Sequence, residues 1–138
     1  MLEMNALEPT DEQMQKFMSQ FKADEPVYML NLLKFKDKAT YKDGEDISGR
    51  AAYKRYIDGF NAINKDVCTI RFAGDANGSL IGNMDHIWDA VLIVEYPNRA
   101  AMMKAVSSED YKRIYKHRMA GLEGQLLIHC GPTNLLDT

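Results

Sequence analysis

The chain has 138 residues, of which 46% are hydrophobic and 27% charged, and its formal net charge is −3. This length suffices for one domain with a real core and is too short for two. Lys and Arg are mixed with Asp and Glu along the chain and form no extended basic tract, which argues against nucleic-acid binding. The longest apolar run falls far short of the roughly 20 residues of a membrane span. With an acidic N-terminus that lacks signal-peptide features, we expect a cytoplasmic location and no membrane association.

The first predicted element is a helix that begins at Thr10. Thr10 and Gln13 form a capping box, because each side chain can satisfy a free backbone donor of the other residue. Apolar side chains then recur at helical spacing to about Ala23, namely Met14, Phe17, Met18 and Phe21. We interpret this stripe as core packing.

Pro26 introduces the first predicted strand, which covers 27–35 and is apolar on both faces except at Asn31. A buried amide costs free energy unless its hydrogen bonds are made. Asn31 is therefore either a clamp on a neighbouring backbone or a polar group that faces a pocket.

Residues 36–47 are polar and lack periodicity, so we expect an exposed loop, one that could cover a pocket. Ser48 caps the second helix, whose buried face runs from Ala52 to Ile63. Tyr53 and Tyr56 lie on that face. They either pack as apolar rings or aim their hydroxyls at a ligand.

The second strand is predicted over 67–73 and contains Arg71. Arg71 either points outward from an edge strand or points inward to an anionic ligand, and the first reading is favoured because edge strands commonly carry charge. The glycines of the following turn match no phosphate-binding motif.

The stretch from Trp88 to Val106 organises the rest of the chain. Residues 90–94 form an unbroken apolar run, which is typical of a strand covered on both faces. Pro97 ends this strand and Asn98 caps a helix that runs to about Val106. Two residues near the turn, Glu95 and Arg99, form either a catalytic carboxylate held by a guanidinium or a structural ion pair.

A second helical segment follows over 111–119, after a fresh capping sequence at 107–110, and Gly121 is expected to end it as a C′ glycine. The last strand covers 124–130. His117 is either an acid–base group or part of a basic last turn. His129 is expected to be a core or rim imidazole, and His86 to be exposed.

The element order from Pro26 onward is strand, helix, strand, strand, helix, strand. This order predicts an α+β, ferredoxin-like βαββαβ fold: an antiparallel sheet with both helices on one face. We expect an N-terminal helical extension over 1–25, the main domain over 26–133 and a tail over 134–138. Because the strands are apolar on both faces, we predict a homodimer through the open sheet face.

Four phrases carry a family resemblance: MLNLLKFK, SGRAAYKRY, WDAVLIVEYPNRAAM and SSEDYKRIYKHRMAGLEGQ. In this order they resemble the domain-of-unknown-function family numbered 1330, of the dimeric α/β-barrel superfamily, and cover 27–130. The resemblance implies a two-fold dimer with a small pocket between sheet and helices. Enzymes of the superfamily include cofactor-independent monooxygenases, lactone isomerases and haem-handling proteins. Where the haem-degrading members carry a histidine and a tryptophan, this chain has Tyr115 and Ala105, so we predict no haem and no other cofactor.

Twelve residues from several elements are candidates to converge on that pocket: Asn31, Tyr53, Tyr56, Arg71, Trp88, Glu95, Tyr96, Arg99, Tyr111, His117, Arg118 and His129. The weak catalytic candidates among them are Asn31, Glu95 and His117. No spacing indicates a metal site or a nucleophile elbow. We expect a small organic, polar or anionic ligand, with a cofactor-independent oxygenase or isomerase as the enzymatic hypothesis. The alternative is a non-catalytic dimeric carrier or interaction module.

Overall fold

The computed structural model describes residues 5–20, 22–83 and 87–137. Its elements, in chain order, are α1 (Asp11–Gln20), β1 (Val27–Phe35), α2 (Gly49–Asn64), β2 (Thr69–Asp75), β3 (Ala90–Tyr96), α3 (Arg99–Ala105), α4 (Glu109–Gly121) and β4 (Leu122–Cys130). The four strands form one antiparallel sheet in the order β2-β3-β1-β4. This is the predicted ferredoxin-like arrangement. None of the described helices is long and apolar enough to cross a membrane.

Side-chain caps set the starts of the helices where the sequence indicates them. Thr10 and Gln13 exchange hydrogen bonds of 2.9 and 3.1 Å, as a capping box requires. Ser48 accepts from the backbone of Ala51 at 3.0 Å. Ser108, in turn, caps α4, so the break between α3 and α4 is confirmed.

The two faces of the sheet differ in what covers them. On β1, Val27, Met29, Asn31 and Leu33 are buried on the face that carries the helices, where the main core lies. The alternate positions are only half-buried and form the open face. Its exposed apolar members include Phe72 of β2, with 54% of its surface accessible.

Gly121 does not end its helix in the way the sequence predicts. It is the last residue of α4, and it is not among the glycines with positive φ. Its role is close approach, because a Cβ there would lie 2.5 Å from the carbonyl oxygen of Gly49 and 2.9 Å from the amide nitrogen of Tyr53. The missing side chain lets α4 cross the start of α2.

Two strand boundaries also differ from the prediction. Val67 and Cys68 are not in β2, because both backbone amides bond to the carbonyl of Asn64 and so close the end of α2. β4 begins at Leu122, two residues earlier than expected, since Leu122 pairs with Phe35 beyond a register shift in β1. β1 itself has the predicted bounds.

The loop over 36–47 is packed against the helices. Lys36 and Thr40 donate backbone hydrogen bonds to the carbonyls of Gly121 and Ala120, at 2.8 and 3.0 Å. Ala39 is buried in a small apolar cluster with Ala52 and Ala120. The segment is a largely exposed loop, as expected, but these contacts fix it across α2 and α4.

Candidate functional site

A chain of buried amides runs from the middle of the sheet toward α4. The Asn31 side-chain nitrogen donates to the carbonyls of Met29 and Leu92 at 3.2 and 3.1 Å. Its oxygen accepts a 2.7 Å bond from the Gln125 side chain. The Asn31 nitrogen thus has the hydrogen bonds of a backbone clamp, and the Asn31 oxygen is bonded to the Gln125 amide.

Gln125 connects Asn31 to the charged side chain of Arg118. Its side-chain oxygen accepts a 2.5 Å hydrogen bond from the guanidinium of Arg118 on α4. Since Gln125 and Asn31 are both buried, the amide pair holds the guanidinium in one orientation.

Arg118 is half-buried, and among the described residues no carboxylate forms an ion pair with it. Its guanidinium also lies 3.7 Å from the Met119 sulfur and 5.7 Å from the centroid of the Tyr115 ring. A guanidinium has five N–H donors in a planar fork that matches a carboxylate. Most of those donors remain for a ligand here.

Tyrosines line the same interior, between α2, α4 and the sheet. The Tyr56 and Tyr111 hydroxyls lie 3.0 Å apart and hydrogen-bond. Burial raises the pKa of Tyr53, Tyr56 and Tyr96 well above the usual range. The positive charge of Arg118 opposes that rise at Tyr53 and Tyr56, so these phenols feel its field. They stay protonated at neutral pH and can donate hydrogen bonds, but they do not act as bases.

The segment before α1 lies against this region. The Ala6 carbonyl accepts a 3.0 Å bond from the Gln125 backbone amide. The Glu8 carboxylate accepts from the Tyr115 hydroxyl. Burial, and then this bond, raises the pKa of Tyr115 to about 12.

Two predicted site residues lie on the other side of the sheet. Arg71, on the edge strand β2, donates a 2.7 Å bond from Nε to Glu95 of β3. The pair faces away from the tyrosines, in agreement with the outward reading of Arg71. Arg99 instead donates to the carbonyl of Met18, so Glu95 is held across strands and not across the turn to α3.

His117 belongs to a separate cluster on the outer side of α4. Its Nδ1 lies 2.5 Å from the hydroxyl of Tyr41 in the 36–47 loop. Arg55 lies over the Tyr41 ring at 5.4 Å and makes a two-pronged ion pair with Glu45. Burial, with the charges of Lys116 and Arg55, lowers the pKa of His117, while Glu45 opposes the change.

The other predicted site residues lie in separate parts of the structure. His129 packs edge-on against Phe17 of α1, with ring centroids 5.0 Å apart. Trp88 is buried ahead of β3, and its Nε1 has no hydrogen-bond partner in the described part of the chain. Phe21 and His86 lie outside the described residues. The twelve candidates thus split into an interior group and several outlying ones.

Sequence reasoning missed Gln125, which connects the interior group. The available signal was its position in an otherwise apolar strand, the same signal that singled out Asn31. Arg118 was included among the converging residues, but the sequence did not single it out from the other basic residues of the last turn. The two become significant together only because β4 pairs with β1 and brings Gln125 beside Leu33, two residues from Asn31.

A shallow depression of about 300 Å³ lies at the other end of α2, away from the interior group. It is lined by Lys65, Asp66, Val67, Cys68, Thr69, Glu95 and Pro97. Burial raises the pKa of the Cys68 thiol, so the thiolate is disfavoured there. Among the described residues, no group of three or more His, Cys, Asp or Glu side chains could hold a metal ion.

The fold and sheet order define the class of this protein, which is a ferredoxin-like α+β protein. The RPA0582 protein of Rhodopseudomonas palustris, described as of unknown function, is 31% identical over 91% of this chain and 95% of that chain, with a TM-score of 0.81. The methylated form of RPA0582 aligns over 98% of this chain and 100% of that chain, with 29% identity and a TM-score of 0.86. The chain belongs to the same family as RPA0582.

Two more distant structures share the fold. A dimeric protein of unknown function and ferredoxin-like fold from Bacteroides fragilis is 14% identical, over 80% of this chain and all of that chain, with a TM-score of 0.51. SnoaB, a cofactor-independent oxygenase from Streptomyces nogalater, is 11% identical over 83% and 99% of the two chains, with a TM-score of 0.53. No family model and no curated protein matches the chain.

Proposed function

We propose that this protein binds a small organic anion, such as a carboxylate, in the interior between α4 and the sheet. The observation that carries the proposal is Arg118: a half-buried guanidinium that is oriented by Gln125 and lacks a carboxylate partner among the described residues. A charge held in a partly desolvated place gains more from an anion than an exposed one does.

The tyrosines near Arg118 suit an anion that also carries an aromatic or other apolar group. The rings of Tyr53, Tyr56 and Tyr111 belong to the main apolar core and would form the apolar wall of the site, and the hydroxyls of Tyr56 and Tyr111, 3.0 Å apart, would supply polar groups. Pockets for small ligands combine such apolar walls with a few placed polar groups.

Binding is favoured over acid–base catalysis at this place. The polar groups of the interior are a guanidinium, phenols and amides, none of which is a general base. In the described part of the chain, the carboxylate that hydrogen-bonds to this group is that of Glu8, through Tyr115. A cofactor-independent oxygenase or isomerase is the second candidate, and the fold shared with SnoaB supports it only by analogy. It would use Arg118 and the phenols to stabilise an enolate. No cofactor is part of either proposal.

We also propose that a second copy covers the open sheet face. Leu30, Leu32, Val91 and Ile93 lie there half-buried, and Phe72 and Ile128 are exposed. A contiguous apolar face of this kind marks an interface. The dimeric Bacteroides fragilis protein with the same fold supports this proposal.

We also propose a family, a domain division and a cellular location for the chain. The residue resemblance supports membership of family 1330. The division into a 1–25 extension, a 26–133 domain and a 134–138 tail is retained, with α1 packed on the domain through Phe17. The charge pattern supports a cytoplasmic protein that binds no nucleic acid.

The test compares benzoate with its neutral analogue benzamide. We expect benzoate, and not benzamide, to raise the melting temperature of the wild-type protein. Arg118→Met should remove the effect, with an affinity loss of about tenfold or more. Arg113→Met is the matched control, since Arg113 lies on the same helix but is exposed and paired with Asp110. Equal responses to benzoate in Arg118→Met and wild type would refute the proposal.

A further inference from the structure

The segment over 5–10 contacts two residues that touch the Arg118 guanidinium, Gln125 and Tyr115. Ala6 accepts from the backbone of Gln125, whose side chain orients Arg118. Glu8 accepts from the hydroxyl of Tyr115, whose ring lies under Arg118. These are independent contacts, one to β4 and one to α4.

The same segment contacts the core near its middle and leads directly into α1. Leu7 packs against the main apolar cluster. Thr10 then begins α1 through its capping box with Gln13. Residues 5–10 are therefore held at Ala6, at Leu7 and at the start of α1, and the Glu8 carboxylate lies between Leu7 and α1.

We propose that residues 5–10 form a strap over the Arg118 site and that Glu8 acts there as an internal competitor, which an incoming carboxylate must displace from Tyr115. The inference rests on the proposed anion site and adds its regulation. Glu8 is exposed and makes no ion pair with Arg118, so its contact with Tyr115 is weak enough to exchange. The hydroxyl of Tyr115 then passes to the ligand, beside the guanidinium.

The inference predicts that the ligands are singly charged carboxylates small enough to fit where the Glu8 carboxylate lies. Such a ligand takes one hydrogen bond from Tyr115 and others from Arg118. Because strap opening comes first, binding should be slower than diffusion and should accelerate when the strap is weakened.

The first experiment measures the strap without any ligand. Hydrogen exchange at the Gln125 amide reports the bond to Ala6. Glu8→Ala and Tyr115→Phe should each accelerate this exchange roughly two- to fivefold, the size of one exposed contact. Glu12→Gln is the matched control, because Glu12 is an exposed acid in the first turn of α1. Unchanged exchange in Glu8→Ala would overturn the strap.

The second experiment measures competition, with benzoate as the probe. Glu8→Gln keeps an oxygen acceptor for Tyr115 but removes the charge, so benzoate affinity should rise roughly two- to fivefold, while Glu12→Gln leaves it unchanged. Faster exchange in Glu8→Ala without tighter benzoate binding in Glu8→Gln would overturn the competitor role. If benzoate binds none of the proteins, the Arg118 proposal fails, and the exchange result alone decides whether the strap exists.

Discussion

Gln125 donates a 2.7 Å hydrogen bond to the side-chain oxygen of Asn31 across β4 and β1, and both amides are buried. The two strands are thereby joined by side chains in addition to their backbone ladder. The same Gln125 orients Arg118, so one contact serves both stability and the proposed site.

Replacing Asn31 by alanine should lower the free energy of unfolding by about 1–3 kcal/mol, because it leaves buried partners without hydrogen bonds. Urea denaturation measures the change. The double variant with Gln125→Ala should lose less than the sum of the two single variants. Strict additivity would show that the amides act separately.

Gly121→Ala tests the helix crossing. Its new Cβ would meet backbone atoms of Gly49 and Tyr53, which cannot move aside, so we expect a loss of about 1–3 kcal/mol in thermal or urea unfolding. Gly59→Ala is the comparison, since its Cβ would meet only the Ile114 side chain, at 2.7 Å. A helical alanine also gains about 1 kcal/mol in propensity over glycine. If Gly59→Ala is the more damaging change, the close-approach argument is wrong.

The His117 cluster should make stability depend on pH. The pKa of His117 is lowered below its ordinary 6.5 in the folded protein, so the unfolded chain binds the proton first as pH falls. Stability should therefore decline as pH drops from about 7 through the unfolded pKa, until the folded pKa is passed. His117→Asn should flatten that part of the curve measured by urea denaturation between pH 7.5 and 5. An unchanged slope in this variant would assign the dependence to other groups.

A lysine at the open sheet face should break the proposed dimer. Leu30 lies opposite Ile93 in the ladder between β1 and β3, and Leu30→Lys would place an unpaired charge in the buried interface. We expect the dimer dissociation constant to rise about tenfold or more by sedimentation velocity. Met18→Lys, at a 43% exposed position on α1, should leave the dimer intact. A wild-type protein that sediments as a monomer would remove the basis of this prediction.

The sequence was informative where local chemistry decides the structure. The caps at Thr10, Ser48 and Ser108 and the apolar run of β3 depend on neighbouring residues, so periodicity and capping rules suffice for them. The attachment of the 36–47 loop to α4 was not predicted, because its anchors, Ala120 and Gly121, are some 80 residues away in the chain.

The site was harder to predict from the sequence for the same reason. Glu95 and Arg99 are neighbours in sequence, yet Glu95 pairs with Arg71 on an adjacent strand. Arg118, Gln125 and Asn31 come together only through strand pairing and the crossing of α4, which no local spacing encodes. The role of Gly121 likewise depends on a helix that is distant in sequence.

The most direct test of the anion site is the NMR signal of the Arg118 Nε–H group during a titration with benzoate. Our account predicts that this signal shifts and saturates, that the Tyr115 ring signals move with it, and that Arg113 does not respond. Benzamide should cause no change. Saturable benzoate binding that leaves Arg118 unmoved, or no binding at all, would contradict the account.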